Sequence, residues 1–236
     1  MASKFSVRDR MKKFLTAFVQ WYLKKHTVDI GNHLRLRALD STCEYIEKNM
    51  VGVKMYENKM GALDHALKEV TIEGSYSEFG VFEGKSVNHI ARSVKQEVHA
   101  YDSFEGLPET WLSSHEAGHF ALDKLPFFEK NVVVHKGWFD DTLPAFVASN
   151  KQNIAFLHID CDLYSSTKTV FKFLGDRIVE NTIIIFDEYF NYPFWQHHEY
   201  KAFQEFVKEN GIEYKYLCYS SNTFGCKVAV KIIKRK

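Results

Sequence analysis

The chain has little of what marks a membrane, secreted or nucleic-acid-binding protein. No apolar run approaches the about 20 residues that span a bilayer, and the N-terminus lacks the apolar core and cleavage site of a signal peptide. Lys plus Arg (31) nearly balance Asp plus Glu (30), so no overall field attracts nucleic acid. We therefore expect a cytoplasmic protein that neither binds nucleic acid nor crosses a membrane.

Cysteine and proline are also scarce. The 4 cysteines show no C-x-x-C spacing, which indicates reduced thiols and excludes a disulfide frame or a cysteine zinc site. With 4 prolines, no repeat and no low-complexity linker, the 236 residues are enough for one well-buried domain with a small appendage. We divide the chain into an N-terminal helical extension, 1–70, and a catalytic domain, 71–236.

The first 70 residues carry the spacing of helices. The predicted helices span 6–26, 32–49 and 56–70. In the first, apolar residues recur on one side and Lys and Arg lie on the other. Such a helix can lie on an anionic membrane, but it more often packs on its own domain or on a second subunit. We favour the second subunit and expect a homo-oligomer. The next two helices are expected to cover the active-site mouth or to form an interface.

Two strand-like apolar runs end abruptly in carboxylates. The first is followed by Asp160 and Asp162, and the next ends in Asp187 and Glu188. In an open α/β sheet, ligands bind outside the carboxyl ends of the strands, so the two pairs are expected to meet there. Crowded carboxylates repel unless a cation, shared protons or water relieves them, and such oxygens suit Mg²⁺. The alternative for each single acid is that it caps the next helix or faces solvent. The presence of two acidic pairs at two strand ends makes this alternative less favoured.

A strand, a glycine-containing turn, a helix and a second strand ending in Asp102 follow the pattern of a βαβ nucleotide-binding unit. Gly80 and Gly84 give the spacing G-x-x-x-G rather than G-x-G-x-x-G, and Glu83 lies where a pyrophosphate would approach the helix N-terminus. A carboxylate there repels phosphate, which disfavours NAD and ATP. Glu78 and Glu83 suit the sulfonium and amino group of S-adenosylmethionine instead.

Five short blocks occur in a fixed order along the chain: Glu78–Ser86, Tyr101–Glu109, Gly137–Pro144, His158–Thr167 and Phe186–Tyr189. Together they resemble the macrocin O-methyltransferase family, over about residues 75–207. The resemblance implies a class I enzyme that uses S-adenosylmethionine and magnesium to methylate sugar hydroxyls of a natural product or glycan. The acceptor would be a small molecule, a sugar or glycoside.

The expected fold follows from the same resemblance and from the strand pattern of the C-terminal residues. Residues 213–219 and 224–233 alternate well enough to form an antiparallel hairpin. A hairpin of this kind added to a parallel sheet is what class I methyltransferases look like. We expect an α/β, Rossmann-like sheet of seven mostly parallel strands with this hairpin and an N-terminal helical extension.

The resemblance also assigns site residues. Its cofactor-binding positions are Glu78, Gly80, Phe82, Glu83, Gly84, Ser86, Asp102, Ser103, Trp138, Phe139 and Asp160. Asp102 would bind the ribose, and Trp138 with Phe139 would sandwich the adenine. The metal ligands would be Asp160, Asp187 and Glu188. The family commonly has Asp-Asp where this chain has Asp187-Glu188, and the aromatic, His-rich insert 190–198 is expected to reshape the acceptor pocket.

The expected chemistry is an in-line displacement at a sulfonium. The enzyme must align the acceptor oxygen and help to remove its proton. Magnesium bound to two neighbouring hydroxyls would hold the diol and lower the hydroxyl pKa. Asp162 is the candidate base, while Asp160 could serve as ligand and base together. Tyr164 either orients the acceptor or packs at the start of the next helix.

Two other functions compete with methyl transfer. His115-Glu-Ala-Gly-His119 matches the zinc-protease pattern H-E-x-x-H, within a lid predicted at 104–128. The glycine inside the motif costs about 1 kcal/mol in a helix, and no third ligand is evident, so lid contacts with substrate or simple exposure are favoured for both histidines. His197 and His198 are more typical of exposed loop residues. A non-catalytic adenosyl-binding module is the other alternative.

Overall fold

The structure is a computed structural model that describes residues 7–27, 29–221 and 224–235. The helices are α1 (Val7–Thr27), α2 (Ile30–Asn49), α3 (Lys59–Lys68), α4 (Lys85–Ser93), α5 (Phe139–Ser149), α6 (Tyr164–Leu174) and α7 (Glu199–Glu209). The strands are β1 (Lys54–Tyr56), β2 (Ser75–Phe79), β3 (Val98–Asp102), β4 (Val132–Lys136), β5 (Ile154–Ile159), β6 (Ile178–Phe190), β7 (Glu213–Ser220) and β8 (Cys226–Lys234). Short 3₁₀ turns lie at Gly175–Arg177 and Trp195–His197.

These strands form one sheet in the order β1-β7-β8-β6-β5-β2-β3-β4. β8 is antiparallel to both β6 and β7, and the other pairs are parallel. The predicted fold class, with its C-terminal hairpin, is confirmed. The short edge strand β1 adds an eighth strand to the seven expected. The third helix therefore begins at Lys59, where the Asn58 side chain caps it by accepting from the Gly61 N–H at 2.8 Å.

The central strands are apolar because helices cover both faces of the sheet. All six residues of β5 are buried, and Ile183–Phe186 of β6 are fully buried. Continuous apolar runs of this kind suit a parallel sheet packed on both sides. One apolar cluster includes Leu143, Phe171 and Phe203 from α5, α6 and α7, and the second includes Leu63 and Ile90 from α3 and α4.

The strand order reverses between β2 and β5, and this opens a crevice at their carboxyl ends. The segments that follow β2 and β5 leave the sheet in close contact here. The Asp160 N–H donates to the Phe79 carbonyl at 2.8 Å, and the Gly80 N–H donates to the Tyr101 carbonyl at 3.0 Å. Gly80 has φ +85, and a Cβ on it would lie 1.8 Å from the Asp160 carbonyl oxygen. Only glycine fits this position, which sets the approach of Asp160 to the crevice.

The N-terminal helices differ in how they pack. α3 is part of the core, with Ala62, Leu63 and Ala66 fully buried. α2 contacts the chain after β6, where Thr42 Oγ1 accepts from the Asn191 N–H at 3.0 Å. The described apolar side chains of α1 are exposed: Val7, Met11, Phe14, Leu15, Phe18, Val19, Trp21, Tyr22 and Leu23. In the described part of the chain, no helix is long and apolar enough to cross a membrane. The division at residue 70 stays a prediction.

We expect Gly80→Ala to destabilise the fold more than Gly52→Ala does. Gly52 has a similar φ of +76 but no atom within 4 Å of an added Cβ, so both variants carry the same backbone strain and only Gly80→Ala adds a steric clash. Overpacking costs ~1–3 kcal/mol, and urea unfolding should show a difference of that size between the variants. Equal losses in the two variants would contradict the close approach of β2 and β5.

Candidate active site

A cavity of about 590 Å³ opens at the carboxyl ends of β2, β3, β5 and β6. Six of the predicted cofactor positions line one side of it: Gly80, Phe82, Asp102, Ser103, Trp138 and Phe139. The four predicted acids line its floor: Asp160, Asp162, Asp187 and Glu188. Aromatic side chains from the lid and from the turn before β8 line the rest: Trp111, His115, Phe120 and Phe224. Six predicted cofactor positions and the four predicted acids therefore line one cavity.

Asp102 is fixed by backbone groups at the edge of the cavity. One of its carboxylate oxygens accepts from the Val81 and Phe82 N–H groups at 2.7 and 2.9 Å, and the other accepts from the Phe104 N–H at 2.7 Å. Three of the four lone-pair sites of the carboxylate are therefore used, and the remaining one, on the oxygen that accepts from Phe104, is available to a ligand hydroxyl. Trp138 precedes α5 with 37% of its surface exposed, so its ring is free to cover a planar ligand.

Four predicted cofactor positions do not lie on the cavity wall: Glu78, Glu83, Gly84 and Ser86. Glu78 is fully buried behind the wall, where it accepts from Ser86 Oγ at 2.7 Å and pairs with His158 Nδ1 at 2.8 Å. The Glu83 side chain is 47% exposed and pairs with Lys85 Nζ outside the cavity, so its role in cofactor binding stays a prediction. The turn with positive φ at Phe82 and Gly84 carries it past the crevice.

The structure adds a histidine to the predicted acid cluster. Single ligand atoms of His158, Asp160 and Asp187 lie within 4.8 Å of one another. His158 Nε2 is 3.6 Å from Asp187 Oδ1. Sequence reasoning missed His158, although a residue two positions before Asp160 on an extended strand shares its face.

Two lysines enter the cluster from distant parts of the chain. Lys59, the first residue of α3, donates to Asp187 Oδ2 and to Glu188 Oε1, the latter at 2.6 Å. Lys227 of β8 contacts Asp187 Oδ1, and its Nζ lies 2.6 Å from His158 Nε2. Sequence reasoning missed both, although Lys227 is a charge in an apolar strand and is only 2% exposed. Such a buried charge signals a partner.

The geometry of β6 explains how these groups meet. The β6–β8 ladder is regular up to Phe186 opposite Val228 and resumes at Phe190 opposite Cys226. Three residues of β6 therefore lie opposite Lys227 alone, and this irregularity brings Asp187 and Glu188 to the cavity. A Cβ on Gly225 would lie 1.2 Å from Glu188 Oε2, so the glycine leaves room for that carboxylate.

Burial and mutual repulsion shift the proton affinities of the cluster. Burial raises the pKa of Glu188 to about 8, against the opposing charge of Lys59. Burial and then the neighbouring Asp160 raise the pKa of Asp162 well above its ordinary value. Burial lowers the pKa of Lys227 to about 8, with Asp160 opposing. Burial also lowers the pKa of Lys59, but the carboxylates, Glu188 foremost, outweigh it and the pKa is raised. Positive charge therefore stabilises this cluster.

Glu199, at the start of α7, holds the two acidic strand ends together. One of its oxygens accepts from the Cys161 and Asp162 N–H groups at 3.3 and 3.1 Å, and the other accepts from the Glu188 N–H at 3.3 Å. Its side chain is fully buried, and burial raises its pKa well above the ordinary value. Sequence reasoning missed Glu199, because nothing in its local sequence indicates these contacts.

The acid cluster fits a hard divalent cation. The carboxylates of Asp160, Asp187 and Glu188 are oxygen donors of the kind that Mg²⁺ prefers. Glu188 Oε2 is buried and has no hydrogen-bond partner among the described residues. Asp162 adds a fourth carboxylate on the cavity floor, so the acids outnumber the two lysines that contact them.

The H-E-x-x-H segment does not form the helix that a zinc protease requires. In the described structure, residues 104–128 contain turns and bends but no helix, and Gly118 has φ +82. The His115 and His119 rings contact each other edge-on at 4.5 Å, and only His115 lines the cavity. The one candidate metal-binding group found among the described residues is the His158 cluster. The zinc hydrolase alternative therefore loses its structural basis.

Three further predicted contributors lie away from the cavity wall. The Tyr164 hydroxyl donates to Glu205 Oε2 at 2.6 Å, which favours the packing alternative for this residue. The insert 190–198 contributes no lining residue, because Tyr192 and Trp195 are buried in the core. His197 is exposed, whereas burial lowers the pKa of His198 to about 4.

Comparison with known proteins supports the sequence resemblance. Residues 77–189 match a family model described as a methyltransferase domain. The chain is 26% identical over 212 residues to the 8-demethyl-8-(2,3-dimethoxy-alpha-L-rhamnosyl)-tetracenomycin-C 4'-O-methyltransferase of Streptomyces olivaceus, covering 77% of this chain and 78% of that protein. The resemblance to O-methyltransferases and the enzyme class are confirmed.

Solved structures share the fold. The calicheamicin methyltransferase CalS11 superposes with a TM-score of 0.59 at 18% identity, over 86% of this chain and 93% of that chain. The O-methyltransferase NovP superposes with a TM-score of 0.52 at 19% identity, over 75% and 79%.

We expect Glu199→Ala to lower the free energy of unfolding, since it leaves three buried N–H groups without an acceptor, at ~1–3 kcal/mol for each. Glu199→Gln should lose less, because its amide oxygen can keep the bonds to Cys161 and Asp162. Glu209→Ala on the same helix, with a side chain that is 61% exposed, is the control. Thermal unfolding measures all three, and a Glu199→Ala value equal to that of the control would show that Glu199 does not hold the strand ends.

Proposed function

Because the chain is an S-adenosylmethionine-dependent O-methyltransferase, we propose that it methylates a hydroxyl of a sugar or similar vicinal diol with the assistance of a divalent metal ion. One observation carries the proposal. A single cavity joins a wall suited to an adenosyl group, with Asp102 and Trp138, to a floor with the carboxylates of Asp160 and Asp187. Donor and acceptor can therefore bind side by side.

On this proposal, the cofactor lies along the Asp102 side of the cavity. Asp102 accepts from a ribose hydroxyl with its remaining lone pair, and Trp138 and Phe139 cover the adenine. Gly80 allows the Asp160 backbone to approach the end of β2 closely. Asp160, beside it, places negative charge near the sulfonium. No basic side chain is needed, because this cofactor carries no phosphate.

The acceptor is proposed to lie over the acid cluster, beneath the aromatic side chains of the lid. A relative is named as a 4'-O-methyltransferase of a tetracenomycin C that carries a dimethoxy-rhamnosyl group, and this makes a glycoside the proposed acceptor class. Trp111, Phe120 and Phe224 offer ring faces to the apolar part of such a molecule. The carboxylates below them accept from sugar hydroxyls.

Proton removal from the acceptor is assigned to Asp162, with Asp160 as the alternative. Asp162 lines the cavity floor, and its raised pKa makes its ionised form a stronger base than an exposed aspartate. Asp160, Asp187 and Glu188 would hold Mg²⁺. When bound, the ion supplies Lewis-acid polarisation of the hydroxyl and a template for a diol.

We predict that metal removal and Asp187→Asn each abolish methyl transfer while S-adenosylmethionine still binds. The reason is that Asp187 lines the proposed acceptor half of the cavity and Asp102 lines the proposed cofactor half. Asp162→Asn should lower kcat ~100-fold or more. Calorimetry measures cofactor binding, and mass spectrometry measures S-adenosylhomocysteine formed with methyl rhamnoside or rhamnosyl-tetracenomycin C.

Asp102→Ala and Asp123→Asn are the controls for this experiment. Asp102→Ala should lose cofactor binding, whereas the exposed Asp123 of the lid should be replaceable without effect. Full activity in the presence of a chelator would contradict the metal requirement. Absence of cofactor binding to the wild type would contradict the methyltransferase site as a whole.

We also propose that α1 mediates self-association. Its exposed apolar residues, including Met11, Phe14, Leu15 and Phe18, form one side of a helix of 21 residues. Burying them on a second copy would remove this apolar area from water.

Phe14→Glu with Phe18→Glu should convert the oligomer into a monomer, since it places charge in the proposed interface. Gln20→Glu, a substitution on the polar side of α1, should leave association unchanged. Light scattering after size exclusion gives the mass of each protein. A wild-type monomer, or an oligomer that survives the double substitution, would contradict this role of α1.

A further inference from the structure

Lys59 is held at the acid cluster by a rigid element. It is the first residue of α3, which Asn58 caps and which Ala62 and Leu63 anchor in the core. Its ammonium group donates to Asp187 Oδ2 and Glu188 Oε1. It lies outside residues 77–189, the part of the chain that matches the methyltransferase domain. The family pattern therefore does not account for it.

The oxygens that bind Lys59 are those of two proposed metal ligands. Asp187 and Glu188 each give one oxygen to the same ammonium group. A divalent cation that takes both residues as ligands would be placed next to this ammonium, and the two positive charges would repel. Close metal binding and this position of Lys59 are therefore mutually unfavourable.

The second lysine, Lys227, cannot move away from the carboxylates as Lys59 can. Lys227 contacts the other oxygen of Asp187, and its side chain is 3% exposed, so it has no route to solvent. The Lys59 side chain is 25% exposed and its stem leaves the surface of α3. A lysine in this position can move its charged end into water at low cost.

We propose that Lys59 is a tethered counter-cation that competes with the metal ion for Asp187 and Glu188. The inference rests on the metal site of the proposed function. Before metal binds, Lys59 offsets the crowded carboxylates. When metal binds, Lys59 moves toward solvent, and the work of displacing it weakens the metal affinity. Lys227 stays in place and continues to orient Asp187 and His158.

The first test measures the metal affinity of the full-length protein by calorimetry with Mn²⁺ and with Mg²⁺. Lys59→Met keeps the length of the side chain without its charge, and should bind metal at least ~10-fold more tightly than the wild type, which corresponds to ~1.4 kcal/mol. Lys59→Arg keeps the charge and should not show this gain. Lys85→Met removes an exposed lysine that pairs with Glu83, and is the matched control.

The outcomes separate this inference from the proposed function. Equal metal affinity of the wild type and Lys59→Met would overturn the competition and leave metal-dependent methyl transfer intact. Metal binding by neither protein would overturn both the competition and the metal site. Weaker binding by Lys59→Met would show that Lys59 supports the site instead.

The second test needs no substitution and reads the position of Lys59 directly. Acetylation of lysines by an N-hydroxysuccinimide ester, followed by peptide mass spectrometry, compares the protein with and without saturating Mg²⁺. Lys59 should become severalfold more reactive when metal binds, while Lys85 provides the unchanged reference. Unchanged or reduced labelling of Lys59 in protein that binds the metal would overturn the proposal.

Discussion

The structure depends on concentrating carboxylates at one buried edge of a sheet. Asp160 and Asp162 leave β5 beside Asp187 and Glu188 of β6, where isolated charges would cost several kcal/mol each to desolvate. Lys59 and Lys227 supply positive charge from two sides. Glu199 accepts from the backbone N–H groups of Cys161, Asp162 and Glu188, and this holds the two acidic strand ends together. We propose that the carboxylates in excess of these lysines suit the site to a metal ion and a hydroxyl-bearing acceptor.

One backbone contact joins the two sides of the cavity that we propose for cofactor and acceptor. The strand order reverses between β2 and β5, and the chain leaves these strands at Gly80 and Asp160. The backbones of these two residues are so close that a side chain on Gly80 cannot fit. Asp102 lies on one side of this point and Asp187 on the other. Any ligand pair bound across it is placed in contact, which is the alignment that in-line methyl transfer requires.

Much of the fold and half of the site were predictable from local patterns. Apolar runs ending in acids located β5 and β6, and alternation located the hairpin, because these signals lie within single elements. Lys59 and Glu199 were not predictable, since their partners lie 129 and 37 residues away along the chain. The position of the Glu83 side chain outside the cavity was not predictable either, because positive φ angles at Phe82 and Gly84 shape the turn and spacing alone does not reveal them.

We propose that the acid cluster holds a divalent ion next to the cofactor. Anomalous diffraction from crystals grown with Mn²⁺ and S-adenosylhomocysteine would locate both ligands. We expect a manganese peak bound by Asp160, Asp187 and Glu188, with the adenosyl group along Asp102 and Trp138. A bound cofactor with no manganese at these carboxylates would contradict it.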